Sequence, residues 1–189
     1  MPGRDRSMRL RFTVVLMVSS GCGCTGGRHV PPHPTAWQEI ASTECGFVVL
    51  MPGVPQVRQG IDRRGNQVVE YRVIVPPGYL HVATCASADE SREGEAAEAF
   101  VRSRLEFEKA AVEQQRWPVR EARLVRVGKC PGWQLVTDNP DGLEVGTRFV
   151  WAGDRAFVLI ASGPPDPVTR EVAARLFESL RSDRCQPPP

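Results

Sequence analysis

Lysine is almost missing from this chain. Lys109 and Lys129 are the only two among 24 basic side chains, so arginine carries nearly all the positive charge. No apolar run approaches the roughly 20 residues that a membrane-crossing helix needs. There is no C-x-x-C pair, which argues against a thiol oxidoreductase, and a nucleophile elbow, a phosphate loop, a metal triad and paired acids are missing too. Of three histidines, only His81 falls in a segment that reads as sheet. With Cys85 four residues further along the same strand, strand rise sets the two about 13 Å apart, too far for an ion pair. These gaps imply no cofactor and no catalytic set; an envelope or secreted hydrolase with an unrecognised site, using His81, is the alternative.

What is present is an ordinary globular composition of 189 residues, 41% hydrophobic and 24% charged, with a formal net charge of +2. That length suits one domain plus a tail. Residues 1–21 hold Arg4, Arg6, Arg9 and Arg11 against Asp5, so without them the charge falls to about −1. A near-neutral chain lacks the clustered basic face that nucleic acid requires. The start is tripartite: basic Met1–Arg11, apolar Phe12–Val18, then Ser19-Ser20-Gly21-Cys22. This is the plan of a cleaved export signal, expected over residues 1–21. A Gly- and Pro-rich tether follows over 22–40; His29 and His33 lie in it at helical ligand spacing, but Pro31, Pro32 and Pro34 forbid the helix.

The organising stretch is Leu143–Ala161. Leu143, Val145, Thr147, Phe149 and Trp151 alternate with Glu144, Gly146, Arg148 and Val150, and Gly153-Asp154 turns the chain into the apolar return Arg155–Ala161. Further strands are expected at Cys45–Met51, Val54–Gly60 (an edge), Gln67–Val75, Tyr79–Cys85, Ala122–Val127 and Trp133–Asp138. Asp89–Trp117 reads as a long helix, with Ser87 and Glu90 as a capping box and a buried stripe of Ala97, Phe100, Val101, Leu105 and Val112, widened by Phe107 and Ala111. Asp166 as N-cap with Pro167 behind it opens a last helix buried through Val168, Val172, Leu176 and Leu180. Asp138, Asp141 and Glu144 flank a turn and read as ordinary turn acids, not a calcium site. Strands, helix, strands, helix make an α+β domain over 41–185, a mostly antiparallel sheet flanked by two helices, with 186–189 as a frayed end.

Two resemblances extend this reading. Ser19-Ser20-Gly21-Cys22 resembles the lipobox of bacterial lipoproteins, departing from it at Ser19, where that family usually has leucine. It implies acylation of the Cys22 thiol and a membrane held through a lipid anchor on the outer side of a bacterial membrane; a secreted soluble protein is the alternative. The folded part is similar to the PsbP-like superfamily in Phe47–Pro55 (FVVLMPGVP), Gly128–Trp133 (GKCPGW), Arg148-Phe149-Val150, Arg155–Leu159 and the closing helix. That resemblance implies an antiparallel sheet flanked by helices, and a binding or assembly module with no catalytic residues; the export signal makes an envelope protein the expected partner, and the ligand is unidentified.

Export places the cysteines where disulfides persist. With Cys22 acylated and Cys24 beside it, Cys45, Cys85, Cys130 and Cys185 remain, and four cysteines allow three pairings. The expected one is Cys45–Cys185 with Cys85–Cys130, since Cys45 opens the first strand and Cys185 follows the last helix. Closing that loop of about 140 residues would be worth on the order of 5 kcal/mol in the chain-entropy model.

Overall fold

Strands between Gln56 and Gly163, most of them alternating apolar and polar residues, build one large antiparallel sheet. The computed structural model describes residues 36–62, 65–75, 79–87 and 91–186. Its elements in order are β1 (Trp37–Ser42), β2 (Phe47–Pro52), β3 (Gln56–Ile61), β4 (Gln67–Val75), β5 (Tyr79–Ser87), α1 (Gly94–Gln114), β6 (Val119–Val127), β7 (Cys130–Asp138), β8 (Glu144–Ala152), β9 (Arg155–Gly163), α2 (Pro167–Glu178) and β10 (Arg181–Ser182). Seven strands pair in the order β3-β4-β5-β9-β8-β7-β6, and β1-β2-β10 make a second, small sheet. This is the expected α+β class, and the β8–β9 hairpin lies at its centre.

Each face of the large sheet has its own cover. On one, α1 lays Ala97, Val101 and Leu105 against Trp133, Leu135, Phe149, Trp151 and Ala156. Trp133 stacks on Phe149 with ring centroids 5.5 Å apart, and Phe100 meets Trp151 at 4.7 Å. On the other, Val150, Phe157, Leu159 and Ala161 pack beneath α2 residues Leu176 and Phe177, and beneath Phe47, Val49 and Met51 of the small sheet. Burying each large side chain contributes roughly 1.5–3 kcal/mol. β3 stays exposed along its whole length, as an edge strand.

Three expectations need correction. β1 begins at Trp37, inside the stretch read as tether; Trp37 is held by Arg175, whose guanidinium lies 4.4 Å above its ring. α1 begins at Gly94, not Asp89, and its N-cap Glu93 makes no side-chain cap. Ser87 is instead the last residue of β5, where its Oγ accepts the Gln67 N–H at 3.1 Å, so it is not free to cap. Phe107 is 43% exposed, and the buried stripe holds Arg104 in its stead, paired with Glu108 at 2.5 Å. The start of α2 is as expected: Asp166 accepts the Thr169 N–H at 2.8 Å, with Pro167 first in the helix.

Candidate functional site

Period-2 alternation that buries one row of a strand must send the other row to the opposite face. On β7 and β8 the row opposite the aromatics is Gln134, Val136, Glu144, Gly146 and Arg148, and register sets Glu121 and Arg123 of β6 beside Val136 and Gln134. α2 crosses only part of this face. Between the helix and β6–β8 lies a cleft of about 410 Å³, bounded on the helix side by Thr169, Arg170, Ala173, Phe177 and Glu178. Gly146 lets the helix come close: a Cβ there would meet the Phe177 ring at 3.3 Å.

The polar wall is wired together. Arg148 donates from Nη2 and Nε to Gln134 Oε1, at 2.6 and 3.2 Å, and from Nη1 to the Phe177 carbonyl at 3.0 Å. Gln134 donates onward to Glu121 Oε1 at 3.3 Å, and Glu121 also binds Arg123. Burial first, and then the positive charge of Arg123, pull the Arg148 guanidinium below its ordinary value. It stays charged at any ordinary pH. At the helix end, Arg170 pairs with buried Glu144 at 3.1 Å. Four arginines face three glutamates around the cleft. One buried side-chain polar atom here has no partner: Thr169 Oγ1, on a residue 2% exposed.

This wall can recognise an anionic group; charge and hydrogen-bond donors are fixed on strands, while the volume matches small-ligand sites of roughly 300–1,000 Å³. None of its residues was singled out from the sequence as a site. The available signal was charge on the wet row of three strands; what was missing was the strand order that brings those rows side by side.

Of the residues weighed from the sequence as candidates, Glu144 alone stands in this wall, and the others lie elsewhere. Cys22, Cys24, His29 and His33 fall outside the described residues. His81 pairs with Val73 and Ala161 in β5; its side chain is outside the described set. Asp138 pairs with Arg120 at 2.8 Å and Glu144 with Arg170, so both acids are engaged. Asp141 meets the Asn139 amide within the turn.

Among the described residues the disulfide joins Cys130 to Cys185, with Cα atoms 5.1 Å apart, not the expected Cys45–Cys185 and Cys85–Cys130. The strand order explains the difference. β9 and β8 stand between β5 and β7. That separation is about 14 Å, twice the reach of a disulfide. Meanwhile the turn before β7 is shaped to take the C-terminal end. Gly128, at φ 56°, leaves room for the Cys185 carbonyl, which a Cβ would meet at 2.1 Å, and Lys129 N–H donates to that carbonyl at 2.8 Å.

No family model matches this chain, and no curated protein matches it. A solved structure does resemble it: the solution structure of cyanobacterial PsbP (CyanoP) from Synechocystis sp. PCC 6803, with a TM-score of 0.54 over 85% of this chain and 98% of that one. The chain has a PsbP-like fold. At 12% identity the likeness establishes the fold alone, and the PsbP-like scaffold hosts here a cleft whose chemistry must be argued from its own residues.

Proposed function

We propose that this is an exported, lipid-anchored protein of a bacterial cell envelope whose PsbP-like domain binds a small anionic ligand, or assembles with an envelope partner through such a group, without catalysing a reaction. The observation that carries the reading is Thr169 Oγ1, a buried hydroxyl without a partner on the wall of an arginine-rich cleft. Leaving such a group unsatisfied costs about 1–3 kcal/mol, a penalty that a ligand acceptor would remove. The cleft groups orient and attract; their guanidinium–carboxylate pairs suit recognition, not proton transfer. The Cys130–Cys185 bond supports an oxidising location, and the lipobox-like Cys22 supports the anchor.

The binding half is tested by thermal shift of the purified chain with a panel of carboxylates and phosphate monoesters. One class should raise the midpoint, and Thr169→Val should abolish that rise while leaving the unliganded midpoint no lower. A panel that leaves the midpoint unmoved, or an equal rise in the variant, would remove the reading; recovery of the ligand unchanged by mass spectrometry checks that no reaction occurs. Labelling of cells with an alkyne fatty acid tests the anchor, since the label should depend on Cys22.

A further inference from the structure

Both sheets contribute a buried thiol to the same core. Cys45 lies in the turn between β1 and β2 of the small sheet, and Cys85 lies on β5 of the large one, between Val69 and Phe157 in register. They are exposed to 2% and 1%, and neither belongs to the disulfide. Phe47, two residues beyond Cys45, sets its ring edge-on to Phe157, the register partner of Cys85, at 5.6 Å, and to Tyr71 at 5.7 Å. The turn that carries Cys45 is thereby seated over the strand that carries Cys85. Both cysteines belong to one buried cluster, near enough for each thiol to act on the other, with Arg155 beside Cys85.

We propose that Cys45 and Cys85 are a second disulfide-forming pair, the remaining pairing once Cys130 and Cys185 are joined. The step is thiol–disulfide exchange. A thiolate from one cysteine attacks the disulfide of an oxidising carrier, such as oxidised glutathione, and releases one carrier thiol. The other thiolate then attacks the mixed disulfide and releases the second carrier thiol, so two protein thiols become one S–S bond and the carrier gains two electrons and two protons. Burial pushes the Cys85 thiol far above its ordinary value of 9.0, with the Cys45 contact adding to the rise. Such a thiol is a poor nucleophile once folded. The bond therefore forms while the small sheet is still open, and protein folded in reductant resists later oxidation.

The consequence is architectural. β10 pairs with β2, and Cys185 follows β10, so the Cys130–Cys185 bond already fastens the small sheet to the large one through its C-terminal strand. Cys45–Cys85 fastens the same sheet through its β1–β2 hairpin. The small sheet would be riveted at two places.

The test is to refold the chain in a glutathione redox buffer, block remaining thiols with N-ethylmaleimide in denaturant, and map peptides without reduction. A linked Cys45–Cys85 peptide pair together with Cys130–Cys185 is expected. Alkylated Cys45 and Cys85 in refolded protein that contains Cys130–Cys185, or Cys45 joined to Cys185, would overturn the proposal. A pH series adds a second readout. The reduced protein should lose stability as pH rises past 9.0, because unfolding then frees a thiol to ionise, and the oxidised protein should not; equal alkaline losses would count against the pair. Only the exported location is shared with the reading above. A bond that forms on refolding but is absent from protein isolated from cells would overturn that location and leave the pair standing.

Discussion

On β7 and β8, Trp133, Leu135, Phe149 and Trp151 point to one face, and Gln134, Val136, Gly146 and Arg148 to the other. The backbone, the strand twist and the neighbours in register are common to both rows. One row is capped end to end by α1 and is dry. The other is only partly roofed by α2, and there a belt of hydrogen bonds replaces aromatic stacking. The difference teaches that the length and placement of the covering helix decide which row becomes core and which becomes a wall. A 21-residue helix spans β6, β7 and β8, whereas a 12-residue one settles mainly on β9 and leaves the outer strands open.

The dry face should fail first when cut. Trp133→Ala removes the ring stacked on Phe149 and leaves a cavity under α1, which should cost about 3–5 kcal/mol in urea unfolding. A loss below about 1 kcal/mol would mean that α1 is not held by that cluster. On the wet face the largest effect belongs to Arg148→Met, which strips a donor from the Phe177 carbonyl and two from Gln134. It should cost on the order of 2 kcal/mol. Arg123→Ala, at a side chain 55% exposed, should stay within about 0.5 kcal/mol. If the two arginines proved equal, the belt would be surface decoration and the contrast between faces would lapse.

A smaller change tests the roof alone. Asp166→Ala deletes the cap on the Thr169 N–H and should lower stability by about 1 kcal/mol, with the helix start fraying in amide exchange before β9 does.

How far the sequence discloses this contrast follows from which signals are local. Gln67–Val75 is observed as a strand with the bounds its alternation implies, and Asp166-Pro167 caps α2 as its chemistry requires. The β8–β9 hairpin is central because both of its strands are apolar enough to be paired on each side. β1 escaped notice: Trp37–Ser42 has no clean alternation, only a half-buried pattern, and it follows a Pro-rich segment. Arg104 escaped because a charged residue in an amphipathic helix reads as solvated, while its burial depends on Glu108 one turn away. The cleft and the disulfide both escaped for one reason. Each joins residues whose neighbourhood is fixed by strand order, and no local pattern encodes that β9 and β8 part β5 from β7.

The least of the expected effects probes the buried charge on the dry side. Burial raises the Glu108 carboxyl above its ordinary 4.5, and the nearby Arg104 guanidinium only partly opposes the rise. Folded protein therefore binds this proton more tightly than unfolded protein does. Over the window just above pH 4.5, the native state holds more protons, so this group's contribution to stability falls as pH rises and returns as pH drops. Glu108→Gln keeps an acceptor for Arg104 and removes the titration. The variant should gain on the wild type between about pH 4.5 and 7, when urea midpoints are compared across that range. Parallel pH profiles would show that Glu108 is solvated after all, and the claim that α1 seals its face of the sheet would have to stop short of the last turns of the helix.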